Sequence, residues 1–164
     1  CLMTAQIANG GYKIYPKIIV DEEKKDEPLD KFIPLFKNSK NIKIIQDAMF
    51  GSTNEVMGTS YRSRIKDLKY QFAGKTGTAQ VKKITERDRE LDLKTFEIPY
   101  EERDHALYIA FGPYKNPRYA LSVLVEHGGN GSTTAAPMAK KLFKLIIDRH
   151  PLRESINKKK YMEI

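Results

Sequence analysis

Residues 70–81 read Tyr-Gln-Phe-Ala-Gly-Lys-Thr-Gly-Thr-Ala-Gln-Val, and Lys75, Thr76, Gly77 and Thr78 within them are the residues best equipped for chemistry. Two kinds of site use such a run. A phosphate-binding loop wraps Gly-Lys-Thr around a triphosphate at a helix start, with a first glycine five residues before the one that precedes the lysine. A substrate-binding strand instead sets the lysine's charge beside a carboxylate. The neighbouring hydroxyl donates to that carboxylate, and the glycine lets substrate backbone lie close. A backbone N–H just past the glycine then faces a developing oxyanion. Here the loop's first glycine position holds Lys69, and Gly77-Thr78-Ala79-Gln80-Val81 follows Thr76. That continuation favours strand and supplies no helix N-terminus for a phosphate. Taken alone, the run leaves both this strand chemistry and a plain glycine-rich turn open.

A strand of this kind needs neighbours, and the chain offers them. Gln71 to Val81 is expected as a strand. Ala106 to Phe111 and Tyr119 to Val125 are apolar runs too short for helices, joined by the turn-rich Gly112 to Arg118, and predict a hairpin buried on both faces. Ser39 is expected to cap a helix carrying Ile42, Ile45, Met49, Val56 and Met57 on one side, with Gly58 ending it. Leu2, Ala5, Ile7 and Ala8 predict the stripe of an opening helix that stops at Asn9-Gly10-Gly11, and Tyr12 to Val20 predicts an extended segment broken at Pro16. Residues 21–31 and 85–104 are charged connectors, the second with 12 charged residues from Glu86 to Asp104. After Gly128 to Ser132 the pattern turns helical. Pro137 suits the first turn, and Met138, Leu142, Leu145 and Ile146, with Ala139 and Phe143 one row over, form the expected stripe up to His150-Pro151. The predicted class is α+β, a layered and mostly antiparallel sheet with helices packed on its faces. Residues 1–152 are expected to form the folded part and 153–164 a basic, flexible tail.

Composition restricts the rest. A chain of 164 residues with 40% apolar residues supports one domain with a core. Its net charge of +8 favours anionic surroundings, which keeps open a second class of reading, a basic scaffold for nucleic acid or another anionic polymer in which Lys-Thr-Gly is incidental. Against that, the basic run Lys158-Lys159-Lys160-Tyr161 matches no nucleic-acid motif and reads as a solvated tail. His105 and His127 flank the hairpin strands without a third ligand at suitable spacing, so they read as strand-end residues, and no metal or cofactor is expected. Tyr108, Phe111 and Tyr119 read as core residues. The single cysteine, Cys1, leaves the redox compartment open. It stands where an initiator Met would, ahead of a helical stripe. A chain cut from a longer protein is expected rather than a lipoprotein anchored at Cys1.

Several blocks of sequence resemble one family in the right order. Met3-Thr4-Ala5-Gln6-Ile7-Ala8-Asn9-Gly10-Gly11, the run from Phe72 to Val81, Asp104 to Pro113, Asn116-Pro117, Glu126-His127-Gly128-Gly129 and Ala135-Ala136-Pro137 are similar to the C-terminal part of the transpeptidase domain of class B penicillin-binding proteins. Within that family they look most like the elongation-specific penicillin-binding protein 2 type. Residues 21–40, 82–103 and the tail stand outside the likeness.

The resemblance implies a penicillin-binding protein/β-lactamase-like fold and serine acyl-enzyme chemistry. A serine attacks the penultimate D-alanine carbonyl of a peptidoglycan stem peptide ending in D-Ala-D-Ala, and β-lactams acylate the same serine. It assigns Lys75 and Thr76 to the terminal carboxylate, Thr78 to the oxyanion N–H and a further hydroxyl, and Gly77 to close approach. It also implies a glycosyltransferase partner in the elongation complex, a periplasm-facing parent held in the bacterial inner membrane, and a missing N-terminal half of the domain that carries the nucleophile. Ser63-Arg64-Ile65-Lys66 and Ser155-Ile156-Asn157-Lys158 fit the family's Ser-x-x-Lys, and Ser52-Thr53-Asn54 fits its Ser-x-Asn, but none stands in the family's place. A soluble fragment inactive by itself is expected, with self-association through faces left bare.

Overall fold

The β-branched and small residues of 105–125 favour paired strands, and the threonines of 73–79 extend the ladder by one. The structure, a computed structural model, describes residues 1–16, 18, 33–83 and 93–149. Strands β1 (Ala73–Ala79), β2 (His105–Gly112) and β3 (Tyr119–Val125) form one antiparallel sheet in the order β1-β2-β3. Register places Lys75 opposite Ile109, Thr76 opposite Tyr108 and Tyr108 opposite Val123.

Because side chains alternate along a strand, β2 sends Ala106, Tyr108 and Ala110 to one face and Leu107, Ile109 and Phe111 to the other. The first face packs with Phe72 and Leu121 against Ala136, Ala139, Phe143 and Ile147 of the last helix, α3 (Ala136–Arg149). Phe72 stacks on Phe143 at 5.0 Å between ring centroids and meets Tyr108 edge-on at 6.4 Å. The second face carries Ala73 and Phe111 against Met49 and Phe50 of α2 (Ser39–Asn54) and Ile7 and Ala8 of α1 (Leu2–Ala8). Helices therefore cover both faces, and the expected layered α+β architecture is the one observed.

Several local expectations change. Asn38, not Ser39, caps α2, its Oδ1 accepting from the Lys40 N–H at 2.9 Å. The helix ends at Asn54, so Val56 and Met57 fall in the following turn and are exposed. In α1 the buried residue is Thr4 while Leu2 is exposed. The extended segment after it reduces, among the described residues, to one bridge between Tyr12 and Pro34. Strand β3 is the other outer strand among the described residues and leaves Leu124 exposed, so only β2 of the hairpin is covered on both faces. In α3 the covered row is 136, 139, 143, 147, and Met138, Leu142 and Leu145 lie exposed. The connector at 85–104 includes a short helical turn at Tyr100–Glu102. The connector at 21–31, residues 84–92 and the tail at 153–164 lie outside the described residues.

Two polar clamps fasten the helices to the sheet's ends. Tyr114, in the β2–β3 turn, donates its hydroxyl to Asp47 of α2, which also takes a 2.6 Å hydrogen bond from Lys43. Tyr70 donates to Asp148 of α3 just before β1 begins. Among the described residues no helix is long and apolar enough to cross a membrane.

Candidate functional site

Among the described residues strand β1 is an outer strand of the sheet, beside α2, and it carries all four residues singled out from the sequence. Lys75 and Thr78 are exposed, and Thr76 and Gly77 are half-buried. Lys75 curls toward the residue that follows it, its Nζ donating to the Thr76 carbonyl at 2.9 Å and to Thr76 Oγ1 at 3.3 Å. The cation and the hydroxyl thus form one polar unit at the strand's rim. An open cleft of about 730 Å³ lies between this rim and α2, lined by Lys75, Ile109, Met49, Ser52, Thr59 and Glu55 among others.

Three features hold the rim in place. Beneath it, Thr53 of α2 donates to the Gly74 carbonyl at 3.3 Å and shares a 2.9 Å hydrogen bond with the Tyr108 hydroxyl. Ser60 meets the same Tyr108 hydroxyl at 3.0 Å. Burial pushes the Tyr108 phenol up from its ordinary value of 10.0, while the hydrogen bonds to Ser60 and Thr53 oppose that shift. On the outer side, Thr59 stands 3.4 Å from Thr76 and 3.0 Å from Ser52, hydroxyl to hydroxyl.

The third support comes from the π-helical turn Gly131–Ala135 that leads into α3. Asn130 caps it, accepting from the Ser132 N–H and hydroxyl at 2.8 Å each. Gly131 then lies flat against the sheet: a Cβ there would sit 2.5 Å from the Leu107 carbonyl oxygen and 2.7 Å from that of Gly77. Only glycine permits that approach.

The remaining candidates fall elsewhere. His105 and His127 do sit at strand ends: His105 Nδ1 accepts the His127 N–H at 2.9 Å, and His127 adopts a left-handed φ of 53°. Ser63 lies in a short helical turn, 3% exposed. Ser52-Thr53-Asn54 closes α2, where Asn54 donates to the carbonyls of Phe50 and Phe72. Ser155 and Lys158 to Tyr161 lie outside the described residues. Tyr108 and Phe111 are fully buried, and Tyr119 is half-buried at the core's margin.

Sequence reasoning missed Thr53, Thr59, Ser60 and Gly131. A turn signal was present at Gly58, but nothing local shows that the turn it begins folds back onto β1.

The family model for the penicillin-binding protein transpeptidase domain matches residues 2–144. The chain belongs to that family. Among curated relatives, peptidoglycan D,D-transpeptidase MrdA of Salmonella typhimurium is 37% identical over 105 residues, which is 64% of this chain and 16% of that protein. MrdA of Acinetobacter baumannii is 39% identical over 87 residues, covering 51% and 12%. Solved penicillin-binding protein structures share the fold. PBP2 of Helicobacter pylori in complex with MreC superposes with a TM-score of 0.65 at 28% identity, over 91% of this chain and 24% of that one. PBP2 of Pseudomonas aeruginosa in complex with WCK 5153 gives 0.61 at 29%, over 84% and 26%. This penicillin-binding protein chain therefore spans a small part of the length of its relatives. Their names are those of cell-wall enzymes, and the nucleic-acid scaffold reading is set aside.

Proposed function

We propose that this chain supplies the carboxylate-binding strand of a peptidoglycan D,D-transpeptidase of the penicillin-binding protein 2 type. The observation that carries the reading is the Lys75–Thr76 unit: an exposed ammonium hydrogen-bonded to the next hydroxyl, on an outer strand of the described sheet that opens into a cleft. A terminal carboxylate of a D-Ala-D-Ala stem peptide, or the carboxylate of a β-lactam, replaces solvent at that unit. It gains a charge-assisted hydrogen bond from Lys75 and a second from Thr76. The peptide then lies along β1, where Gly77 presents no side chain to obstruct it. The N–H of Thr78 serves the carbonyl oxygen as it becomes an oxyanion, and the Thr78 hydroxyl adds a further polar contact.

In this reading the attacking serine and its lysine partner come from elsewhere in the full-length protein. The serine oxygen bonds the penultimate D-alanine carbonyl carbon, the bond to the terminal D-alanine nitrogen breaks, and that amine leaves with the proton. An amine of a neighbouring strand then takes the acyl group and restores the serine. Ser63 is unsuited to the role, since its side chain is buried and no base reaches it among the described hydrogen bonds.

The same reading places the parent at the periplasmic face of the inner membrane, in an elongation assembly with a glycosyltransferase. The likeness to a PBP2 bound to MreC supports membership of such an assembly. Labelling of the full-length protein with fluorescent penicillin tests the reading. Covalent, boiling-resistant label that Lys75→Ala weakens is expected; a full-length wild type that takes no label overturns it.

A further inference from the structure

We propose that Thr59 is a positioning residue for the carboxylate-binding hydroxyl of Thr76, a role that rests on the transpeptidase reading above. Its placement is built with care for a residue that is itself exposed. Gly58 before it packs on the end of α2 so tightly that a Cβ would lie 2.4 Å from the carbonyl oxygens of both Gly51 and Ser52. Ser60 after it donates to the Ser52 carbonyl from its N–H at 3.0 Å and from its hydroxyl at 3.1 Å. Both flanks of Thr59 are therefore pinned to the C-terminal turn of α2. The side chain between them packs in no core, and its hydroxyl aims at β1.

The result is a row of polar groups, Ser52 Oγ to Thr59 Oγ1 at 3.0 Å, Thr59 Oγ1 to Thr76 Oγ1 at 3.4 Å, and Thr76 Oγ1 to Lys75 Nζ at 3.3 Å. Lysine can only donate, so Lys75 fixes the polarity at its end by occupying one lone pair of Thr76. A hydroxyl has one proton and two lone pairs. Either hydroxyl of each pair can donate; in the orientation with Ser52 donating to Thr59 and Thr59 donating to Thr76, both Thr76 lone pairs are taken, and its proton is left to point away from both partners, toward a ligand at the strand's rim. Thr76 becomes a committed donor, the state a carboxylate needs. The 3.4 Å spacing is long for a hydroxyl pair and shortens when an anion draws the Thr76 proton forward, as apo-state contacts at reacting sites commonly do.

The test uses the purified full-length protein, its Thr59→Val and Thr59→Ser variants, and two acylating probes, benzylpenicillin and benzylpenicillin methyl ester, which lacks the carboxylate charge. Thr59→Val keeps the shape and deletes the hydroxyl. Loss of one positioning hydrogen bond predicts benzylpenicillin acylation slowed by about fivefold, with the ester rate unchanged and Thr59→Ser close to wild type. A purely structural role would slow both probes alike. Wild type acylated by benzylpenicillin, with Thr59→Val showing the wild-type ratio of the two rates or Thr59→Ser failing to rescue, overturns the role of Thr59 and leaves the transpeptidase reading standing. Wild type acylated by neither probe removes that reading, and the proposal with it.

Discussion

The Tyr108 hydroxyl, on the central strand, lies 3.0 Å from Ser60 Oγ at the far side of β1, and it reaches there through the space that Gly74 leaves open. A Cβ on Gly74 would stand 2.4 Å from that hydroxyl. The glycine that opens the Gly-Lys-Thr-Gly run thus serves the core and not a ligand. Gly74→Ala forces either the ring or the strand to move and is expected to destabilise the protein by about 1–3 kcal/mol, the usual cost of overpacking. Thermal unfolding measures it, and an unchanged Tm would show that the ring has room to shift.

Tyr108 also gives stability an alkaline limit. Burial raises its folded-state value above the ordinary 10.0, so the folded protein holds that proton longer than the unfolded chain does. The associated stability is whole below pH 10 and is lost as pH rises from there through the folded value. Tyr108→Phe should flatten this part of a denaturant-midpoint profile. The same substitution removes one hydrogen bond each from Ser60 and Thr53, which keep their bonds to backbone carbonyls, and costs about 1–2 kcal/mol near neutral pH.

Asp47 and Asp148 set an acid limit by the opposite sign. Asp47 is held below its ordinary 3.8 first by the hydrogen bond from Lys43 and then by that from Tyr114, and Asp148 is held below 3.8 first by Tyr70. Their contributions are present above that value and fall away as pH drops through the folded ones. Both carboxylates are exposed, so the effect is small and weakens with salt. Tm between pH 5 and pH 2 should decline less steeply in Asp47→Asn than in wild type.

At the site, Lys75→Ala in the full-length protein should slow penicillin acylation by about 10- to 100-fold, the range for losing a hydrogen bond to a charged partner. Lys75→Arg should recover only part of it, because a planar guanidinium cannot retrace the turn that brings Nζ to Thr76. Stopped-flow or gel-based labelling rates decide between them. Equal rates for Lys75→Ala and wild type would move the carboxylate site away from β1.

Gly131→Ala tests the support beneath Gly77. The added methyl would meet two carbonyl oxygens at 2.5 and 2.7 Å, backbone atoms that cannot swing aside. A loss of about 1–3 kcal/mol is expected, together with slower acylation as the loop lifts from β1. Full stability with normal acylation would mean that the loop adjusts freely.

How much of this was legible in the sequence differs from element to element. The hairpin, α3 and the strand at 73–79 were legible because periodicity and residue type express local sterics: β-branched runs bounded by Gly and Pro, and a proline in a first helical turn. The cap of α2 was misplaced by one residue, since Asn38 and Ser39 are both good caps and only the backbone path chooses. The row that α3 buries was also misread. Met138, Leu142 and Leu145 are as apolar as any residue in that helix, but the sheet meets 136, 139, 143 and 147, where small residues let Phe143 reach Phe72.

By itself, then, the sequence determined the class of the fold and the run Lys75-Thr76-Gly77-Thr78, because those depend on residue type, spacing and short-range geometry. Tertiary structure alone decided that β1 lies outermost among the described strands, that Thr59 comes to face Thr76 from 17 residues away, and that Gly131 closes against Gly77. These are meetings between segments far apart in the chain. They arise from how two helices and a turn settle on a common sheet, and no local pattern encodes where such surfaces touch.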